Sequence, residues 1–425
     1  ADAAARACCA RGGVRHDRLH QMSSTTEPTP RPDGPGASAP VSGADVLVVG
    51  AGLAGSTIAR ELAERGGRRV VVLEARQHVA GNAYDVVDEA GVLIHQYGPH
   101  IFHTNNQRVV EYLSRFTDWN GYSHEVLANV HGLFLPVPVN KISLRLAFGK
   151  QRGDELIAKL VGRFGDGEKV TIRQLREESD ADLAEVADYV YRNVFLTYTT
   201  KQWGVGPDEV DESVTARVPV FISEDCRYFQ DAHQGLPVDG YTALVQRMLE
   251  HPGIEVRLGV DARQVFEFGD GEVRVGGEPF GGTVIYTGPL DELFGNRFGS
   301  LPYRTLDFDF ETLQQDRFQP SGTVNYTVSE DFTRITEFKH LTRQDAPGRT
   351  TIVREFPRDY VPDSTDEAYY PIIDPANLEL HGRYAELASE LPDFHAIGRL
   401  AEYRYFNMDQ VVARALKLAD RLLAD

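Results

Sequence analysis

The run "HQYGPHIFHT", residues 95–104, carries His95, His100 and His103. Imidazoles at such spacing can hold a metal, exchange protons, or line the face of an organic cofactor. No cysteine or aspartate lies at ligand spacing with them. The stretch "HEVLA", starting at His124, lacks the second histidine of a zinc helix. No G-x-S-x-G elbow occurs, so serine hydrolase chemistry finds no support. A second group is more specific. Gly50, Gly52 and Gly55 form G-x-G-x-x-G, and Glu74 follows Gly50 by 24 positions. Glycines at that spacing let backbone approach a pyrophosphate at a helix N-terminus, and an acid ~20 residues on suits a ribose hydroxyl.

The elements that must position these groups can be read from apolar pattern. Val46 to Val49 reads as a buried parallel strand, and Leu53, Ile58, Leu62 and Ala63 come after it at near-helical spacing. Gly66-Gly67 ends that helix, and Val70 to Glu74 is a second strand, completing a βαβ unit. An acid at 74 disfavours a 2′-phosphate, so NADP is not expected. The run "ARQHVAGNAYD" after Glu74 brings chain towards a diphosphate. At the far end "AIGRL" precedes a helix starting near Met408, whose positive end suits the pyrimidine edge of a flavin. Together these two ends favour FAD over NAD. Given a flavin, a Gly-Pro turn would present His100 and His103 beside the ring; ordinary hydrogen-bonded core histidines are the alternative, and no metal is expected.

Composition sets bounds. A formal charge of −19 over 425 residues excludes nucleic acid or an anionic membrane surface as a natural partner. No apolar run approaches the ~20 residues of a membrane span. Of three cysteines only Cys226 lies outside the N-terminal segment, which fits a reducing cytoplasm. Residues 1–43, rich in Ala, Pro, Ser and Gly, read as a disordered tail with Met22 a candidate start.

The expected architecture is α/β. A discontinuous dinucleotide-binding domain spans 44–115, 237–292 and 385–425. A helical module covers 140–213, with a mobile substrate loop near 201–214. An antiparallel sheet takes 116–139, 214–236 and 293–384. The clearest helix is "DLAEVADYVYRNVFLTY", with Leu183, Val186, Ala187, Val190, Val194 and Phe195 on one stripe and Ser179 or Asp180 as cap. Tyr191 and Tyr198, seven apart, are expected on one face of it. Arg217, Arg304, Arg334 and Arg399 stand in apolar or aromatic runs. A buried arginine needs an anion, either a diphosphate or a structural carboxylate.

Taken in order, "GAGLAG", "GNAYD", "YGPHIFHT", "YTTKQWG", "YFQDAHQGLP", "FTRITEFKH", "YYPI" and "GRLAEYRYFNM" resemble the bacterial UDP-galactopyranose mutases, over essentially all of Ala44 onwards. The resemblance implies a Rossmann-like FAD domain and isomerisation of UDP-galactopyranose to UDP-galactofuranose for surface glycans, in a cytoplasmic homo-oligomer, with UDP also bound. It implies that reduced FAD is the active form, its N5 attacking the anomeric carbon with no net redox. Arg217 and Arg334 would clamp the diphosphate, and Tyr228, Tyr370 and Tyr405 would bond the same phosphates. Phe195, Tyr198 and Trp203 would serve uridine, Asn325 the ribose or phosphate, and His103 the flavin beside the sugar. Gly50, Gly52, Leu53, Gly55, Glu74, Ala75, Arg76, Asn82, His100, Gly398, Arg399 and Met408 would hold the cofactor. Two departures stand out: Ala80 where the family has Gly, a change small enough to tolerate, and Asn407 where it commonly has Asp. The latter should leave the phosphate region more positive. A flavin amine oxidase-like enzyme and a non-catalytic UDP-sugar binder remain open alternatives.

Overall fold

The computed structural model describes residue 41 and residues 43–204, 219–269, 272–362 and 364–424. The expected disordered tail therefore lies almost wholly outside the described residues, as do 205–214 of the expected loop. Five strands build a parallel sheet in the order Ile254–Leu258, Val70–Glu74, Val46–Val49, Thr283–Tyr286, Phe394–Ala396. Parallel strands covered on both faces need continuous apolar runs, which is why "VLVV" and "VVVLE" do not alternate. Val46, Val48, Val70 and Val72 pack under the helices Leu53–Gly66 and Met408–Leu422. Leu47, Val49, Val71 and Leu73 pack on the opposite face with Tyr384 and Ala388 of helix Pro375–Ser389. Each such Val or Leu contributes ~1.5–3 kcal/mol when fully buried. That helix begins inside the span expected for the sheet module, yet it packs on the dinucleotide sheet.

The second sheet runs Tyr370–Pro371, Tyr303–Leu313, Thr350–Asp359, Arg334–Glu337, Thr323–Tyr326, Val126–Val130, Leu133–Val137. Its pairing departs from the expected antiparallel pattern once: Thr323–Tyr326 and Val126–Val130 run parallel. The reason is connectivity: Val126–Val137 is a separate hairpin docked onto the edge of a sheet made from residues after 300. Asp85 ties the distant pieces together, its carboxylate accepting the Tyr241 and Thr242 backbone N–H groups at 2.6 and 2.8 Å at the start of helix Gly240–Leu249.

The helical layer keeps its predicted stripe, with Leu183, Val186, Ala187, Val190, Val194 and Phe195 all buried and Asp180 capping at Asp182 N. Its middle departs from expectation. Residues Tyr191–Leu196 form a π-helical stretch before helix Thr197–Trp203. A π turn holds extra chain per turn and rotates the helix beyond it. Tyr191 accordingly lies under Arg176 at 4.2 Å, whereas Tyr198 reaches Arg334, so the two tyrosines do not share a face. Lys201 to Trp203 are helical too, so the expected loop starts later than 201.

Ala80 occupies left-handed backbone, φ 75°, beside Gly81 at φ 55°. Glycine avoids that strain, worth ~1–2 kcal/mol for a residue with a Cβ, but loses ~0.4–1 kcal/mol through unfolded-chain entropy. Ala80→Gly should therefore shift the urea midpoint upward by between zero and the equivalent of about 1.6 kcal/mol. A clear loss, as Ala→Gly gives in ordinary backbone, would contradict the strained assignment.

Candidate active site

The glycine turn is built as its chemistry requires. Gly50 has φ 99°, and a Cβ on Gly55 would stand 1.9 Å from the Gly50 carbonyl oxygen, so neither position accepts a side chain. Helix Leu53–Gly66 starts at Gly52 with no side-chain cap and no acid in its first turn, leaving its amides open to an anion. Glu74, buried, accepts from Ala51 N at 2.8 Å and Arg76 N at 2.9 Å. A carboxylate has about four lone-pair directions, so Glu74 can brace the turn and still take a hydroxyl.

Other predicted cofactor residues gather here. Gly81 approaches Gly52, and Asn82, adjoining it, accepts from Arg76 Nη2 at 2.7 Å. Arg76 also pairs with Glu367 and lies 4.4 Å over the Tyr97 ring, so its guanidinium is already engaged. Ala75 sits between Glu74 and Arg76. Gly398, φ 102°, brings the C-terminal segment onto the helix start, where its missing Cβ would meet Ala54 at 3.4 Å. Asn407 caps helix Met408–Leu422, and Gln410 accepts the Asn407 N–H at 2.9 Å. Asn caps as well as Asp, so the substitution at 407 keeps the helix start and removes one negative charge. An uncapped helix at a glycine turn, a buried acid beside it and a second helix start make a donor and acceptor set that fits a dinucleotide.

The histidines occupy different surroundings. His95 Nδ1 accepts from His100 N at 2.9 Å, and His100 Nδ1 contacts the Gly98 carbonyl at 2.8 Å. Burial pushes both imidazoles down to about 4, with His95 adding to the effect at His100. His103, on strand Phe102–Thr104, pairs through Nδ1 with Asp231 Oδ2 at 2.6 Å, while Asn105 donates to Asp231 Oδ1 at 2.5 Å. Its ring stacks on Phe229 at 3.5 Å. Phe229 also packs on His124, whose Nδ1 contacts the Tyr122 hydroxyl at 3.1 Å and whose carbonyl accepts from Tyr228 N at 2.7 Å. Burial pushes His124 down to about 3. Phe229, Asp231 and Tyr228 also line a cavity of about 380 Å³ with Asn105, Lys169 and Gln230. In sequence His124 looks like no more than half a zinc motif, and its neighbours do not single out Phe229 or Asp231. The only local signal for that pair is the run "YFQDAHQG", which marks the family without assigning either residue a role.

The arginines now separate. Arg304 is buried against Asp359 and donates to Gln202 O at 3.2 Å, a structural role. Arg334 donates through Nη2 to the Tyr198 hydroxyl and lies 3.4 Å from Glu355, yet its buried Nε makes no hydrogen bond. Burial acts to lower its pKa; Glu355, Tyr198 and Tyr370 outweigh that, and the guanidinium stays charged. Arg399 lies over the rings of Tyr405 at 4.4 Å and Tyr370 at 5.1 Å, with Nε and Nη2 buried and unpartnered. Asn325 stands beside Arg334 in the sheet with its Oδ1 also unpartnered. Tyr228 and Tyr370 are held above the ordinary phenol range by burial. Trp203 ends its helix half-buried, Tyr405 is exposed, and Phe195 packs inside the helical core. Arg217 lies outside the described residues. Arg399 thus keeps two buried N–H groups without a hydrogen bond, and Arg334 keeps one, its Nε facing Glu355 at 3.4 Å; guanidiniums so placed among phenols have the chemistry to take an anion.

The fold defines a protein with a dinucleotide-binding parallel-sheet domain and a second sheet that carries Arg334 and Tyr370 of the arginine and tyrosine cluster. Residues 193–405 match the family model for UDP-galactopyranose mutase, and residues 48–116 match an NAD(P)-binding Rossmann-like domain. The chain is 35% identical over 385 residues to a UDP-galactopyranose mutase of Mycoplasma pneumoniae, covering 89% of this chain and 96% of that one. It is 34% identical over 377 residues to a dTDP-fucopyranose mutase of Escherichia coli, covering 88% and 97%. A crystal structure of reduced UDP-galactopyranose mutase superposes with a TM-score of 0.65 at 17% identity, over 90% of this chain and 94% of that one. The chain belongs to the UDP-galactopyranose mutase family and is an isomerase of that class. Among the described residues no helix is long and apolar enough to cross a membrane.

The buried imidazoles carry a pH consequence. An unfolded imidazole takes its proton near 6.5, whereas His124 in the fold does not until about pH 3 and His95 and His100 until about 4. Between those values the unfolded chain binds more protons, so stability falls as pH drops from 6.5 towards 4. His124→Asn should be less stable than wild type at pH 7 but lose less on going to pH 4.5, by chemical denaturation at both. Equal losses would show that His124 is already protonated in the fold.

Proposed function

We propose that this enzyme interconverts UDP-galactopyranose and UDP-galactofuranose with FAD in its reduced state. The observation carrying the reading is the pair of half-buried, incompletely hydrogen-bonded guanidiniums of Arg334 and Arg399 beside Tyr198, Tyr370 and Tyr405. The Gly50–Gly55 turn, Glu74 and the start of helix Met408–Leu422 would hold the cofactor. Reduced FAD would supply there a nucleophilic N5 for the anomeric carbon, with no net redox change.

The chain's own groups would do the rest. As the anomeric C–O bond breaks, negative charge grows on the departing diphosphate, and Arg334 with Arg217 receives it. Donors that strengthen as charge develops lower the barrier rather than merely tighten binding. Tyr228, Tyr370 and Tyr405 would add phenolic hydrogen bonds to the diphosphate, while the unpartnered amide oxygen of Asn325 would accept from a ribose hydroxyl. His103, its Nδ1 held by Asp231, would present Nε2 to the sugar side, where a ring hydroxyl gives up or regains its proton during ring opening and closure. Removal of the charge at 407 would leave this cleft more attractive to anions.

A second reading is favoured by one finding: the dTDP-fucopyranose mutase is as similar to this chain as the UDP-galactopyranose mutases are. The same ring contraction on a deoxythymidine-linked deoxysugar would use the same groups. Both substrates should therefore be assayed with the flavin-loaded protein, with and without dithionite. Conversion of UDP-galactofuranose by the reduced form only, without oxygen uptake, is the expected result. Arg334→Ala should cut that rate by ~10²–10³. Preferential turnover of the dTDP-sugar would move the assignment to the second reading, and equal activity of the oxidised form would remove the reduced cofactor from it.

A further inference from the structure

Within "YTTKQWG" the lysine stands apart from the groups that face the cleft. Lys201 extends from helix Thr197–Trp203, and its Nζ donates to three backbone carbonyls: Tyr326 at 2.6 Å, Glu330 at 3.0 Å and Phe332 at 3.1 Å. An ammonium has three donors, and all three are used. Among the described residues no carboxylate pairs with it. The three carbonyls belong to the turn joining strands Thr323–Tyr326 and Arg334–Glu337. Two residues beyond Phe332 stands Arg334. One helical turn before Lys201 stands Tyr198, whose hydroxyl accepts from Arg334 Nη2.

The helix is thus attached to one turn of the sheet at two points, and both lead to the same guanidinium. Burial of the half-buried ammonium lowers its pKa, and Glu330 and Asp331, near it but unpaired with it, offset that only in part, so its hydrogen bonds all go to carbonyls. Packing alone would be served by an apolar chain of the same length. What the donors add is direction. Arg304, donating to Gln202 O at 3.2 Å, holds the end of the same helix in the same pose.

We propose that Lys201 is a positioning residue: it fixes the helix against the turn so that Tyr198 holds Arg334 directed at the diphosphate. The proposal rests on the assignment of Arg334 to the diphosphate. An internal comparison exists at the other end of the Arg334–Glu337 strand. Lys339 also donates to three carbonyls, of Asp316, Ala346 and Arg349, but joins segments that carry none of the cleft residues.

The test is calorimetric titration of UDP into the flavin-loaded protein and its variants. Lys201→Met and Tyr198→Phe should each weaken UDP by ~10-fold, the scale of one lost hydrogen bond to a charged group. The double variant should be little worse than either single one, because both act through Arg334. Lys201→Arg should restore part of the affinity. Lys339→Met should lower the melting temperature and leave UDP affinity unchanged. Should Lys201→Met lose its flavin, Lys201→Gln takes its place in the same comparison. Wild-type affinity in the Lys201 variant, or fully multiplicative losses in the double variant, would overturn the proposal while Arg334→Ala still weakens UDP. Undiminished UDP binding by Arg334→Ala would instead overturn the reading of the cleft, and the proposal with it.

Discussion

A guanidinium removed from water must find acceptors for five N–H groups, and the cleft is organised around two that find too few. Arg334 sits mid-sheet, with Asn325 opposite on one neighbouring strand and Glu355 on the other. Tyr198 reaches it from the helical layer. This arrangement leaves the charge in place and part of its hydrogen-bonding capacity free. The parallel sheet contributes the other guanidinium through Gly398, whose left-handed backbone turns the chain so that Arg399 comes next onto Tyr370 and Tyr405.

The net charge of −19 and this positive cleft are compatible because they act over different ranges. Surface carboxylates are screened within ~8 Å at physiological ionic strength. The two arginines act within hydrogen-bond distance, where both are half-buried and some of their N–H groups are shielded. The surface can thus repel polyanions while these arginines remain free to act on a group brought close to them. The histidine block illustrates a related division of labour. His103 and His124 both pack on Phe229, with Asp231 orienting the first imidazole and Tyr122 the second. Aromatic packing sets the ring planes and hydrogen bonds set their rotation, so Tyr228, bonded to His124 through backbone, inherits a defined position.

The βαβ unit, the glycine turn and Glu74 were legible in the amino-acid sequence alone, as were the stripe of helix Ala181–Val190 and the cap at Asp180. Each is local: a run of β-branched residues, a positive φ or a 3.6-residue period depends on neighbours along the chain. The order of the motifs likewise sufficed to indicate the family. Tertiary structure alone decided the rest. Arg304 and Arg334 look alike in sequence, and only sheet register gives one Asp359 and the other a half-empty shell. The π turn at Tyr191–Leu196 rotates Tyr198 away from Tyr191, which a fixed helical period cannot anticipate. Lys201, placed by pattern in a loop, is helical, and its ammonium is claimed by three carbonyls more than 120 residues later. His124 and Asp231 join the site through pairings of the same long range. Contacts of that kind depend on which strands meet and in what register, and that is settled by burial of the whole apolar surface, not by any one stretch of chain.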